Sequence, residues 1–211
     1  MAHENPDGSG AIEIELHPPY ATMLELYRDS DRNLEIVLDR YAAEGIKPTC
    51  QRGCAACCHQ LVMATAAEAG IAAGHLLELP DGDRQSLDAR LALWLEDTAD
   101  LRRRLQESAD GDLEAVTEEL AAAYWQRRIA CPFLAEGNCA IYAVRPLACR
   151  HHFSVSEPDL CRLAPDGVVE RMVAVEEAFF ASQDAIFEEQ AEIGIFPELV
   201  WLLSAREPGP V

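Results

Sequence analysis

Apolar positions along the chain recur mostly at intervals of three and four, the spacing of helices that bury one face. After Pro18-Pro19, the stripe Met23, Tyr27, Leu34, Leu38 and Tyr41 predicts a helix to about Ala43, stopped by Gly45 and Pro48. Thr65-Ala66-Ala67-Glu68 is a capping-box pattern. The Thr65 hydroxyl can accept from the third amide of a helix while Glu68 reaches back to the Thr65 amide. That helix is expected to run to Pro80. Leu87, Leu91, Trp94, Leu95, Leu101 and Leu105 predict one helix over about 83–107. Leu113, Val116, Leu120 and Tyr124 predict another over about 113–129, with Gly111 between them. Val175, Phe179, Ile186 and Phe187 mark a further helical region, and Pro197 opens a short last helix with Leu199, Trp201, Leu202 and Leu203. C-terminal helices therefore fall at about 171–205.

Two stretches break this periodicity. Thr49 to His59 is too rich in Cys and Gly for a regular element and reads as a ligand loop, followed by the short apolar run Leu61, Val62 and Met63. From Cys131 the texture changes again. Cys131-Pro132-Phe133-Leu134, a Glu-Gly-Asn turn and Cys139-Ala140-Ile141-Tyr142 predict a small β-hairpin. Arg145-Pro146 opens a turn, and irregular chain continues to about Gly167. Ile12, Ile14 and Leu16 suit a short docked strand, and no internal repeat stands out. The expected fold is mainly α, a helical bundle in a single domain over 1–211. It carries two irregular Cys-rich metal-binding insertions, at about 49–62 and 131–162, joined by the helical segment 65–129, and one short β-hairpin.

Composition supports helices and narrows the partners. The 211 residues are 49% hydrophobic but only 7% aromatic. Such a balance suits closely packed helices better than sheets rich in aromatic and β-branched residues. Seventeen basic residues stand against 37 acidic ones, a formal charge of −20, and Lys47 is the only lysine. This surface repels phosphate backbones and anionic lipid, so nucleic-acid and membrane partners are not expected. A protein or small-molecule partner is left open. Met1 to Gly10 has no basic start followed by an apolar run, and no stretch reaches the ~18 apolar residues of a membrane span. A cytoplasmic location with reduced thiols is the expectation.

Eight cysteines then carry the chemistry. The first cluster is Cys50-x3-Cys54-x2-Cys57-Cys58-His59, and the second is Cys131-x7-Cys139-x9-Cys149-x11-Cys161. Disulfides suit neither the compartment nor a vicinal pair, and buried apolar thiols scatter through a core rather than gathering in one loop. Metal ligation is the better reading. In extended chain Cys57 and Cys58 would face opposite sides, feeding two centres or two metals of one cluster. Eight thiolates suffice for two four-ligand sites, so up to two centres are expected. Only Cys54 and Cys57 have the Cys-x2-Cys gap usual for structural zinc, whereas iron–sulfur sites tolerate scattered ligands, which favours an iron–sulfur cluster over zinc. His59 and His151 flank cysteines as outer-shell candidates, as does His152. Arg145 and Arg150 bracket Cys149, where guanidiniums would offset thiolate charge and donate to sulfur. Ordinary ion pairs with the acidic surface are the alternative. Cys50 and Cys161 are expected to matter least for metal.

Gly53-Cys54-Ala55-Ala56-Cys57-Cys58-His59-Gln60-Leu61-Val62, with Thr65 and Glu68-Ala69, resembles the first half of the CxxCxxCC, or YkgJ-like, cysteine-cluster family. Cys131-Pro132-Phe133-Leu134, Gly137, Cys139-Ala140-Ile141-Tyr142 and Arg145-Pro146-Leu147-Ala148-Cys149-Arg150 resemble the second half. The resemblance covers about residues 49–162 and implies zinc or iron chelation. A flagellin lysine N-methylase is similar to that family. The gap between Cys50 and Cys54 departs from the pattern.

The leading functional expectation is a cysteine-ligated metal-binding protein with a structural, redox or sensing role. The alternative is a metal-dependent protein-modifying enzyme resembling the lysine N-methylase, although no Gly-rich nucleotide loop follows a strand. Cys50-x3-Cys54-x2-Cys57 also has the spacing of radical S-adenosylmethionine enzymes. There Ala56 replaces the usual aromatic, and the alternating strands and helices of their barrel are missing from the pattern. No catalytic residue can be assigned.

Overall fold

The computed structural model describes residues 23–51, 53–108, 113–163 and 193–204. Helix α1 (Met23–Ala43) buries Leu26, Tyr27, Leu34 and Val37, together with the polar Asp29, Ser30 and Asn33. A single-turn 3-10 helix (Ala56–His59) holds the vicinal cysteines. Strand β1 (Met63–Thr65) leads into α2 (Ala66–Leu77), where the capping box forms as its sequence predicts. The Glu68 amide donates to Thr65 Oγ1 at 3.2 Å, and the Thr65 amide donates to Glu68 Oε2 at 2.9 Å.

The apolar run 61–63 conceals a strand pairing that local sequence does not reveal. β1 lies antiparallel to β4 (Ile193–Ile195), with Met63 opposite Ile195 and Thr65 opposite Ile193. The last helix, α8 (Phe196–Ser204), follows β4 directly and begins at Phe196, one residue before Pro197. It packs along α2, whose Ala69, Ala72, Ala73 and Leu76 form one buried stripe. Small side chains at that spacing let two helices approach closely. Leu87, Leu91, Phe133, Ile141, Phe196 and Val200 complete this core cluster, with the Phe133 and Phe196 rings 5.5 Å apart.

The helix expected over 83–107 is two helices, α3 (Asp81–Asp97) and α4 (Ala99–Glu107). Thr98 breaks them. Its φ and ψ are −108° and 5°, and its hydroxyl donates to the Trp94 carbonyl at 2.7 Å. A threonine bonding back into the preceding turn competes with the helix ladder, and no Gly or Pro announces the break. Helix α5 (Leu113–Gln126) ends before Arg128, which adopts a positive φ of 55°. Trp94, Leu101, Leu120, Tyr124 and Ile195 form a second buried cluster.

The predicted hairpin is present as β2 (Leu134–Ala135) and β3 (Asn138–Cys139). Its turn is Glu136-Gly137, with positive φ at both residues (49° and 78°), a twist that matches paired strands. The region after Tyr142 is less irregular than expected. A 3-10 turn (Tyr142–Val144), α6 (Leu147–Arg150) and α7 (Pro158–Leu163) occupy it. Short elements of three to six residues carry too little periodicity to be read from sequence. Among the described residues the strands form two two-stranded sheets. The strand expected at Ile12–Leu16 and the helical region from 171 to Phe187 lie outside the described residues. No described helix is long and apolar enough to cross a membrane.

Candidate metal centre

The 3-10 turn, the hairpin and α6 bring the two cysteine clusters together across about seventy intervening residues of sequence. The Cys131 amide donates to the Cys58 carbonyl at 2.7 Å, which ties the clusters backbone to backbone. Cys50, Cys54, Cys57, Cys58, Cys131, Cys139 and Cys149 line one cavity of about 190 Å³. Trp94, Tyr124, Phe133, Ile195 and Phe196 supply apolar wall, and Arg145 and His152 supply polar wall. Cys161 is buried elsewhere, within electrostatic reach of Cys50.

Within this set Cys57, Cys131, Cys139 and Cys149 act on one another, and Cys57 also reaches Cys58 and Cys50. Cys131 feels the charge of Cys149, Cys139 and Cys57; Cys149 feels Cys57 and Cys139; Cys139 feels Cys57. Burial pushes the Cys131, Cys139 and Cys149 thiols above the ordinary range, and their neighbours add to the effect. Cys57 is raised by its hydrogen bond with Cys58 and by burial. The pair therefore does not diverge as extended chain would make it. The 3-10 turn sets both thiols against the same cavity. Cys50 lies within electrostatic reach of Cys57, Cys54 and Cys161, and its Sγ accepts from the Ser154 amide at 3.3 Å.

Three features favour the charged form of the inner group. The Phe133 amide bonds Cys131, the Ile141 amide bonds Cys139, and Arg145 faces Cys57, Cys139 and Cys149. Amides two residues beyond a cysteine donate to its sulfur as the chain turns around a ligand position. The Arg145 guanidinium carbon lies 3.9 Å from the Tyr142 ring centroid. Arg150, by contrast, is structural. Its Nη1 meets both Asp31 oxygens at 2.7 Å, its Nη2 donates to the Ala143 carbonyl at 2.9 Å, and it stacks on Tyr27.

The histidines separate as well. His59 Nδ1 lies 3.3 Å from the Arg128 carbonyl, and His151 is buried against the Ser30 hydroxyl, so neither lines the cavity. Burial and the neighbouring Arg150 push the His151 pKa down to about 4. His152 is the histidine on the cavity wall, and the rotation of the chain leaving α6 decides that. Glu68 holds the other side: its Oε1 accepts from the Leu147 amide at 2.8 Å, fixing the first residue of the Cys149 helix to α2.

Buried thiols that share a cavity fit a soft metal or a metal–sulfur cluster, because such a cation replaces the proton and repays the desolvation of each thiolate. Among the described residues no three Cys, His, Asp or Glu donors stand in single-ion ligating arrangement. Residues 49–177, more than half of the chain, match the CxxCxxCC family, described as "Putative zinc- or iron-chelating domain". The match does not extend to a lysine N-methylase. Neither a curated protein nor a solved structure matches the chain. The chain belongs to the CxxCxxCC family, and with its eight cysteines this supports a metal-binding role.

Proposed function

We propose that this member of the CxxCxxCC family holds an iron–sulfur centre on Cys57, Cys131, Cys139 and Cys149, and serves a redox or sensing role. The observation that carries the reading is that cysteines of both clusters line one cavity, with these four thiols acting on one another there. A four-thiolate zinc has metal–sulfur distances of about 2.3 Å and encloses no space. Seven cysteines line this one cavity, more donors than a single four-thiolate zinc uses, which favours a larger inorganic core that brings its own sulfide and several irons. Such a group supplies one-electron transfer at a potential set by net charge, hydrogen bonds to sulfur and exposure. The chain's own contribution is the amides of Phe133 and Ile141 and the Arg145 charge, each of which favours electron-rich sulfur.

The test is anaerobic purification with analysis of iron, acid-labile sulfide and zinc. Brown protein with iron and sulfide in equal amounts is the expected outcome. Colourless protein holding zinc would overturn the iron–sulfur assignment and leave the thiol ligands standing.

A further inference from the structure

Trp94 on α3 and Tyr124 on α5 are both buried, and both line the cavity. The Trp94 indole N–H donates to the Tyr124 hydroxyl at 2.9 Å. An indole nitrogen can only donate, so the phenol oxygen is the acceptor in this bond and its own proton must go elsewhere. A phenol O–H lies close to its ring plane, which leaves it two directions, and Trp94 occupies one. Among the described residues no protein group accepts that proton. A buried donor left without an acceptor is costly, so its partner has to come from what fills the cavity. The thiols within electrostatic reach of the hydroxyl are Cys131 and Cys58, the pair joined by the bond from the Cys131 amide to the Cys58 carbonyl. Burial and these neighbours push the Tyr124 hydroxyl above its ordinary range, so it keeps its proton and stays a donor.

We propose that Tyr124, oriented by Trp94, donates its hydroxyl proton to a sulfur of the bound centre and so tunes that centre. This rests on the reading of the cavity as the metal centre's site. Tyr124 acts here as a positioning residue and not as a ligand, and it takes no room from the centre because it is part of the wall. Accepting the Trp94 bond polarises the phenol and strengthens its own O–H as a donor. A hydrogen bond to sulfur draws electron density from it, favours the more reduced state and raises the potential. Arg145 acts on Cys57, Cys139 and Cys149, and Tyr124 adds a neutral donor beside Cys131 and Cys58.

The experiment compares the metal-loaded protein with Tyr124→Phe and with Tyr124→fluorotyrosine, whose ring-fluorinated phenol is a stronger donor of nearly the same shape. Two quantities are read, with metal content measured on each sample. One is the energy of the sulfur-to-metal charge-transfer band, with cobalt(II) replacing any bound zinc; the other is the midpoint potential where iron is bound. A donor holds the sulfur lone pairs more tightly, so Tyr124→Phe should move the band to lower energy. At a fixed potential its ratio of reduced to oxidised centre should fall by about threefold or more. The fluorotyrosine protein should shift both readings the opposite way, which a packing role alone would not produce. Tyr124→Phe keeps the ring and every thiol, so its metal content should match the unaltered protein. If it does not fold, the fluorotyrosine protein carries the test by the sign of its shift. Readings unmoved in both variants overturn the proposal, since the hydroxyl then bonds water in the cavity, and leave the metal reading intact. Loss of metal from folded Tyr124→Phe also overturns it, because the hydroxyl would then assemble the centre and not tune it. A zinc protein whose cobalt form shows the two opposite shifts overturns the iron–sulfur reading and supports the Tyr124 donor. A protein that takes up no metal overturns both.

Discussion

Cys131 and Cys139 pack against the main apolar core, beside Phe133 and Ile141, and with Cys57 and Cys149 they make the inner group. Cys50 instead lies at a polar seam, where the Thr49 amide donates to the Ser154 carbonyl at 2.9 Å and the Ser154 amide donates to the Cys50 sulfur, with Cys161 buried within electrostatic reach. The seam rests on a smaller cluster, Leu34 and Val37 with Phe153 and Val155. Burial without a cation makes an inner thiolate costly, so the inner group has most to gain from metal. Cys50 is less deeply buried than Cys131 and Cys149 and gains less.

The largest test of this contrast is ligand removal. Cys149→Ser should abolish most metal binding and lower thermal stability, since binding free energies of structural thiolate sites reach ~10 kcal/mol or more and are coupled to folding. Cys161→Ser should retain most of the metal, because Cys161 stands outside the cavity lining. Metal analysis and melting curves of the two variants decide it: equal loss in both would merge the inner and outer groups into one site.

Next in size is the apolar support. Phe133 is 1% exposed, packs its ring at a tilt against Phe196, and shares a core cluster with Cys131 and Cys139. Phe133→Ala should cost about 3–5 kcal/mol in chemical denaturation. It should also speed amide exchange at Cys131 and Cys139 more than at Cys50. Uniform acceleration would show that core and seam open together.

Much of this arrangement is legible in the sequence wherever a local rule decides it. Thr65 and Glu68 announce a helix start because both capping partners lie within four residues, and Glu136-Gly137 announces a turn because Gly accepts positive φ. The pairing of Met63–Thr65 with Ile193–Ile195 is not legible, since three-residue strands separated by well over a hundred residues leave no periodic trace. The division between Arg145 and Arg150 is hidden for another reason. Both bracket Cys149 equally in sequence, and only the 3-10 turn before α6 sends one to the thiols and the other to Asp31. His152 stands beside His151 in sequence, but helical rotation, not spacing, selects it for the cavity.

A pH test probes the packing of α1 against the chain that leaves α6, outside the cavity. The His151 pKa lies at about 4 in the fold against 6.5 in the open chain, because burial disfavours the charged ring. Between those values the unfolded chain binds the extra proton, so stability is full above pH 6.5 and falls as pH drops toward 4. The loss is at most on the order of 3 kcal/mol. His151→Asn should flatten that acid limb relative to the unaltered protein, read as the difference between their denaturation midpoints from pH 7 to 4, so that acid release of metal is common to both. Parallel acid limbs would mean that Ser30 and the chain around it relax enough to hydrate the charged ring.

The smallest effect belongs to the seam. Thr49 Oγ1 donates to the Ser154 carbonyl at 3.1 Å and also contacts the Ser156 carbonyl, while the Thr49 amide bonds Ser154 independently. Thr49→Val keeps the shape and the backbone bond but removes the hydroxyl. The two carbonyls are only part-buried and can turn to water, so the cost should be about 1 kcal/mol. Amide exchange at Ser154 should quicken, because its donation to Cys50 then rests on the backbone alone, and metal content should not change. Metal loss from this variant would place Cys50 among the required ligands, and the distinction between inner and outer thiols would fail at the point where the seam meets the cavity.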